Sequence, residues 1–196
     1  MPEIKSGDAT IAYTLHPEPN IHYVKIYIDD LNGIKVTASQ SRSEDKVKAF
    51  LEKKAEWILE KWQEIHEDLY RVDRLTLEEG QKLSYLGRSY RLKIQESDED
   101  QATFAFQKGK FLFTYPPAME QSERNEKLIQ LAKEWLQSKA NEKFDALHNS
   151  DVIGEKDVLR LGIKQAQQIK LNWRLVQLPK PAITEKIEHL IEGKSC

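Results

Sequence analysis

The residue pattern predicts an α+β protein made of antiparallel hairpins and two long amphipathic helices. Two observations carry that reading. Strand-like stretches of alternating hydrophobicity are grouped around glycine-containing turns, and helical stretches follow them in blocks. The regular strand–helix–strand alternation of a parallel sheet is missing. The order is sheet, helix, sheet, helix, then a short strand region and a last helix. We place an N-terminal sheet with a long helix at 1–79, a second β layer at 80–118, and a helix with the closing strand–helix region at 119–196. All three belong to one compact domain in this reading. No internal repeat or low-complexity segment is evident in the residues.

The first hairpin begins at "IHYVKIYI" (Ile21 to Ile28), with Val24, Ile26 and Ile28 on one face and Tyr23, Lys25 and Tyr27 on the other. A half-buried strand alternates in this way. "DDLNG" follows, where Asn32-Gly33 can take the positive φ angles of a tight turn. "IKVTA" then sets Ile34, Val36 and Ala38 on one face. From Ser41 to Tyr70 the period changes. Ser41 and Glu44 have capping-box spacing, and Val47, Phe50, Leu51, Ile58, Trp62, Ile65 and Leu69 form one helical stripe, widened by Trp57 and Leu59.

"KLSYLGRSYRLKIQ" predicts two strands bent about Gly87, with Tyr90, Leu92 and Ile94 on one face. "ATFAFQKGKFLFTYPP" predicts a hairpin that turns at Lys108-Gly109 and ends at Pro116-Pro117. The second helix runs through "SERNEKLIQLAKEWLQSKANEKFDALHN", with Leu128, Leu131, Ala132, Trp135, Ala140, Phe144 and Leu147 as its stripe. The closing stretch "IKLNWRLVQLPKPAITEKIEHLIEGKSC" (Ile169 to Cys196) predicts a strand, a Pro-marked turn and an amphipathic helix carrying one histidine.

Composition narrows the function classes. Of 196 residues, 39% are hydrophobic and 32% charged, which supports a modest core and argues against disorder. Thirty basic residues against 32 acidic ones leave a net charge of −2, too even a balance to attract nucleic acid or an anionic membrane. "MPEIKSGDATIAY" lacks the basic patch and apolar run of a signal peptide, and nothing has the length of a membrane span. The single cysteine, Cys196, cannot form an internal disulfide and reads as an incidental exposed thiol. We expect a cytoplasmic protein. No Walker-type lysine, G-x-G-x-x-G or G-x-S-x-G elbow is present. Among His16, His22, His66, His148 and His189, no two stand four apart, so no local metal motif is complete. The first four read as surface or capping histidines.

"IKLNWRLVQLP" (Ile169 to Pro179) resembles the approach to the active-site helix of the YgjP-like metallopeptidases, zinc-dependent hydrolases related to the SprT and WLM types. That family follows I-x-L-N-x-x-L with a Pro and a helix bearing H-E-x-x-H. "KAFLEKKAEWILEKWQE" is similar to the family's helix before its central sheet, and "GQKLSYLGRSYRL" (Gly80 to Leu92) to its G-x-x-x-x-x-L-G-x-x-Y-x-L segment. The likeness runs from about His22 to Glu192 and implies a zincin-like C-terminal strand–helix region. In the family two histidines hold zinc, the Glu beside the first polarises zinc-bound water, and a downstream His completes the shell.

The closing helix departs from this pattern. Counted from Pro179 without a gap, His189 takes the place of the first zinc His, with Leu190 for the Glu and Gly193 for the second His. With four residues deleted, His189 is the second His, Glu185 takes the first position and Lys186 replaces the base; this register keeps the His-Leu pair and Glu192, and we prefer it. The family's W-G-S-C-type segment before I-x-L-N is missing between Leu161 and Ile169. Glu185 and His189 are then the candidate metal ligands, no residue is assigned as catalytic, and two protein ligands hold a catalytic zinc weakly. The resemblance implies zinc as the family's cofactor and a peptide or protein as partner. Three readings follow: a family member that keeps the fold without hydrolysis; a non-catalytic peptide-binding or scaffold module of that fold, using a β edge for strand addition; or a closing helix that only packs, with Ile187, Leu190 and Ile191 in the core and His189 in solvent.

Overall fold

Each hairpin expected from the turn residues forms in the computed structural model of the chain, which describes residues 2–7, 9–153 and 159–193. The first elements are β1 (Glu3–Ser6), β2 (Ala9–Glu18), β3 (Lys25–Asp29), β4 (Gly33–Ser39), α1 (Glu44–Glu52), α2 (Ala55–Ile65) and α3 (Glu67–Tyr70). After them come β5 (Lys82–Tyr85), β6 (Arg88–Glu96), β7 (Thr103–Gln107), β8 (Lys110–Tyr115) and α4 (Gln121–His148). The chain closes with β9 (Asp151–Val152), β10 (Gly162–Gln165), β11 (Gln168–Leu171) and α5 (Lys180–Glu192). Among the described residues, mixed sheets with five α-helices make an α+β protein. Two units divide the chain: Met1–His66 with His148–Asn172 and Glu185–Cys196, and Glu67–Leu147 with Trp173–Thr184.

In the first unit a four-stranded sheet has the order β1-β2-β4-β3, with β2 and β4 parallel and the outer pairings antiparallel. Sequence reading missed β1 and β2. Alternation is present in β2, where Ile11 and Tyr13 are buried, but Thr14, His16 and Pro17 interrupt the apolar signal beyond them. Strand β3 starts at Lys25, later than the expected Ile21, and keeps the expected faces. Its turn into β4 is held by Asp29, which is fully buried. The Asp29 Oδ1 accepts the Leu31 and Asn32 N–H groups at 3.1 and 2.7 Å, and Oδ2 takes the Lys35 Nζ at 3.0 Å. Gly33 has φ +78°, while Asn32 stays out of the positive region, so the side chain of Asp29 shapes this turn together with one glycine.

The expected single helix from Ser41 is broken. Lys53–Lys54 separate α1 from α2, and α1 begins at Glu44 behind Ser43, with Ser41 bonded to Ser39 instead of capping. Neither Gly nor Pro marks the break. The buried residues Val47, Leu51, Ala55, Ile58 and Trp62 keep intervals of three and four across it, which is why the period reads as continuous. Trp57 and Ile65, placed on the stripe by sequence, are 42% and 56% exposed. A three-stranded sheet, β10-β11-β9, completes this unit. Here Ile169 and Leu171 are buried, and the Asn172 side chain donates to the Arg160 carbonyl at 3.1 Å. The asparagine of I-x-L-N is thus a strand-end pin.

The second unit repeats the sheet plan as β5-β6-β8-β7, again with a parallel centre, β6 beside β8. Leu86-Gly87 and Lys108-Gly109 all have positive φ, as two-residue hairpin turns require. Helix α4 buries Leu128, Ala132, Leu136, Ala140 and Phe144, one residue every four. Phe111 is enclosed by Trp135 at 5.0 Å and by Phe104 and Phe106 at 5.3 and 5.0 Å between ring centroids.

After β11 the segment "WRLVQ" forms a 3-10 helix at Trp173–Gln177. Arg174 forks onto both Asp73 oxygens at 2.6 and 3.1 Å, donates to the Leu69 carbonyl, and stacks on Tyr70 and Trp173. Burial would raise the Asp73 carboxyl pKa, but the hydrogen bonds and charges of Arg174 and Lys133 override it and hold the group below its usual range. Leu86 and Gly87 donate their N–H groups to the Val176 and Gln177 carbonyls at 2.8 and 3.0 Å. In this way the L-G turn and the segment after I-x-L-N lock together.

Candidate functional site

Helix α5 starts after Pro179 and carries Pro181 in its first turn, where the missing N–H costs nothing. Its buried face is Ile183, Ile187 and Leu190, at the four- and three-residue steps of one stripe. Ile191 is exposed, against the core position expected for it. Gly193 ends the helix at φ +71°, and Lys164 Nζ donates to the Ile191 carbonyl at 3.0 Å, serving one of the carbonyls a helix end leaves open.

His189 stands on the wall of a cavity of about 530 Å³ within the first unit. The described lining comes from well-separated segments: Thr14 and His16 on β2, Asn32 and Lys35 around β4, Arg160, Gly162, Ile163 and Lys164 at β10, and His189, Leu190 and Gly193 at the end of α5. Gly162 matters here because a Cβ at that position would lie 2.6 Å from Leu190 Cδ1; its absence lets β10 close on the helix. Glu185 is exposed one turn before His189 and does not line the cavity. Lys186 approaches Asp30 Oδ2 at 3.5 Å.

Asp30 belongs to a second polar group that sequence reading missed. His66, expected at the surface, is 7% exposed. Its ring lies 4.2 Å from the Trp62 ring, with Nδ1 at 2.9 Å from the Trp62 carbonyl and Nε2 at 3.1 Å from Asp30 Oδ1. The His66 hydrogen bond holds the Asp30 carboxyl below the usual carboxylate range; burial opposes it, and the charges of His66 and Lys186 reinforce it. The "DDLNG" tip was the available signal, since two carboxylates at a turn need partners, but the partner lies 36 residues away. Of the other histidines, His16 reaches the cavity, His22 is exposed, and His148 is the last residue of α4.

Residues 22–151 match the family model of the YgjP-like metallopeptidase domain. The chain belongs to the YgjP-like family. Searches of curated proteins and of solved structures gave no significant match. The YgjP-like match takes in β3, β4, the whole second sheet and helices α1 to α4, and it ends before the I-x-L-N strand and α5.

A metallopeptidase zinc needs three protein ligands with a fourth position left for water. Among the described residues, no group of three His, Cys, Asp or Glu could hold a metal ion. Glu185 and His189 by themselves are one ligand short of that set. Lys194, which in the preferred register replaces the family's third ligand, and Cys196 lie outside the described residues. No described helix is long and apolar enough to cross a membrane.

Proposed function

We propose that this YgjP-like chain does not hydrolyse peptides through zinc, and that it acts as a cytoplasmic binding module which holds a peptide or protein segment without cutting it. The observation that carries the reading is α5 itself, where one histidine and one glutamate stand for the family's ligands. In the preferred register the general base is replaced by Lys186, a cation directed at Asp30. An ammonium beside zinc would be repelled by it and could not take a proton from bound water. Strand β3 supports the binding role. It borders its sheet, with Tyr27 exposed on it and Tyr23 exposed just ahead of it, a usable edge for an added strand.

Metal analysis of protein purified without chelator tests the loss of hydrolysis. The expected result is zinc well below one ion per chain and no cleavage of unstructured peptides. Near-stoichiometric zinc that disappears in His189→Ala would overturn it. For the binding role, a saturable peptide interaction weakened by Tyr23→Glu with Tyr27→Glu is expected; binding that ignores both changes would remove the β3 edge from the reading.

A further inference from the structure

We infer that the outer face of the β5-β6-β8-β7 sheet is a docking surface for an acidic polypeptide segment, one that presents Asp and Glu carboxylates to it. The site is separate from the β3 edge and holds whether or not that edge takes a strand. Strand register defines the face. Leu92 pairs with Phe111 and both are buried, so Arg91 and Lys93 on β6, with Lys110 and Leu112 on β8, belong to the opposite face. Lys82 on β5 stands directly opposite Arg91, and Lys110 comes one step before Phe111 as Arg91 does before Leu92. Lys82, Arg91 and Lys110 therefore form a row across three strands, about 10 Å long, with Lys93 two residues further along β6. All four are exposed.

Cations elsewhere in the chain are matched: Lys35 by Asp29, Lys133 by Asp73, Lys139 by Glu142. On this face none of the four side chains has an ion-pair or hydrogen-bond partner among the described residues, and no acidic residue of the four strands shares the face. Glu78 and Glu79 precede β5 at its edge; counted in full against the four cations, they still leave a positive surplus. Asp98 to Asp100 follow β6 about 20 Å along the strand from Arg91, beyond the reach of screened charge. Like charges side by side on a sheet are destabilising, and a partner bearing carboxylates removes that cost. Its chemistry is narrowed by the uncharged residues. Leu112 lies half-buried between Lys93 and Ala105, an apolar spot beside the cations. The sheet's rings are on its covered face, Tyr90 against Phe106, and Phe106 and Phe111 against Trp135. A nucleic-acid strand would find no ring to stack on, whereas an acidic segment with an apolar side chain matches both features.

Fluorescence anisotropy on the full chain at low ionic strength tests the assignment, with a short labelled peptide of Glu, Ser and Leu, its counterpart with Gln for Glu, and a labelled oligothymidylate. Saturable binding of the Glu peptide alone is expected, weakening as salt is added. Arg91→Glu should weaken it at least about tenfold, by setting a like charge before the carboxylates. The same change turns two like-charge neighbours into opposite-charge pairs, so the urea unfolding midpoint should not fall. Lys110→Glu should weaken binding too, and Lys48→Glu, the same charge change on exposed α1, should leave it intact. No saturation by the Glu peptide, or an equal loss in Lys48→Glu and Arg91→Glu, would overturn the inference. Tighter binding of the oligothymidylate through Arg91 and Lys110 would overturn it in favour of nucleic acid.

Discussion

In the first unit a short strand turns into a long one, the chain crosses over residues 19–24, and a second hairpin sets β4 parallel to β2 before a helical segment begins. In the second unit β5 to β8 repeat these steps, crossing over residues 97–102 and setting β8 parallel to β6 before α4. The interiors differ. The second unit packs Phe111, Phe113 and a ring of aromatic neighbours under an unbroken helix. The first encloses Asp29 and His66 under a helical segment broken at Lys53–Lys54. Since one plan is satisfied by an almost wholly apolar filling, the polar groups of the other are not demanded by topology. Burying them costs free energy that only their hydrogen bonds offset. This is the physical ground for looking to the interior of the first unit for function and to that of the second for stability.

The largest effect should come from the aromatic cluster. Phe111→Ala removes a fully buried ring and should cost roughly 3–5 kcal/mol in urea unfolding. A loss below about 1 kcal/mol would mean the cluster does not hold the second unit together.

Next are the two glycine turns of that sheet, which share a positive φ and differ in surroundings. A Cβ at Gly87 would lie 2.6 Å from Pro179 Cγ and 2.8 Å from its Cα, whereas Gly109 has nothing within 4 Å. Gly109→Ala should therefore cost only the left-handed backbone, about 1 kcal/mol. Gly87→Ala adds overpacking and should cost about 3 kcal/mol. Equal losses would show that Pro179 yields, and that the L-G turn is not fitted to the segment following I-x-L-N.

A smaller, pH-dependent effect is expected in the first unit. The Asp30 carboxyl is held below its unfolded value, so its contribution is present above about pH 4, the unfolded carboxylate range, and is lost as pH falls through the lower folded value. Asp30→Asn should flatten the fall in unfolding midpoint between pH 6 and pH 3. His66→Gln should flatten it too, because the hydrogen bond from His66 is the largest cause of the shift. If both variants lose stability in parallel with the native chain over that interval, the pair does not couple to folding.

The contrast between the units also accounts for what could be read from residues alone. Gly87 and Gly109 announce two-residue turns because a positive φ is a local demand, and the α4 stripe shows itself through a four-residue step. The repeated sheet plan was hidden because it lies in strand pairing while the fillings differ: Asp30-Leu31-Asn32 spans one hairpin tip where Lys108-Gly109 spans the other. The cavity was beyond reach for a related reason. Thr14, Lys35, Arg160 and His189 come from segments far apart in the chain, and no period within one segment signals their meeting. His189 was found through a family resemblance, and the cations around it were not.

The smallest expected effect concerns neighbours that sequence reading exchanged. The helical period assigned Ile65 to the core and left His66 in solvent, but α2 ends at Ile65 and the chain turns there. Ile65 is left 56% exposed, while His66 is enclosed by Trp62 and Asp30. An exposed position away from any buried network tolerates a charge, so Ile65→Lys should change stability by no more than about 0.5 kcal/mol. His66→Ala strips a partner from Asp30 and opens space beside the Trp62 ring, and should cost about 1–3 kcal/mol. Measured together by urea unfolding at neutral pH, the two variants rank the apolar period against the polar pair at the end of one helix. A larger loss from Ile65→Lys would return Ile65 to the core and leave His66 the surface histidine that its sequence neighbours suggest.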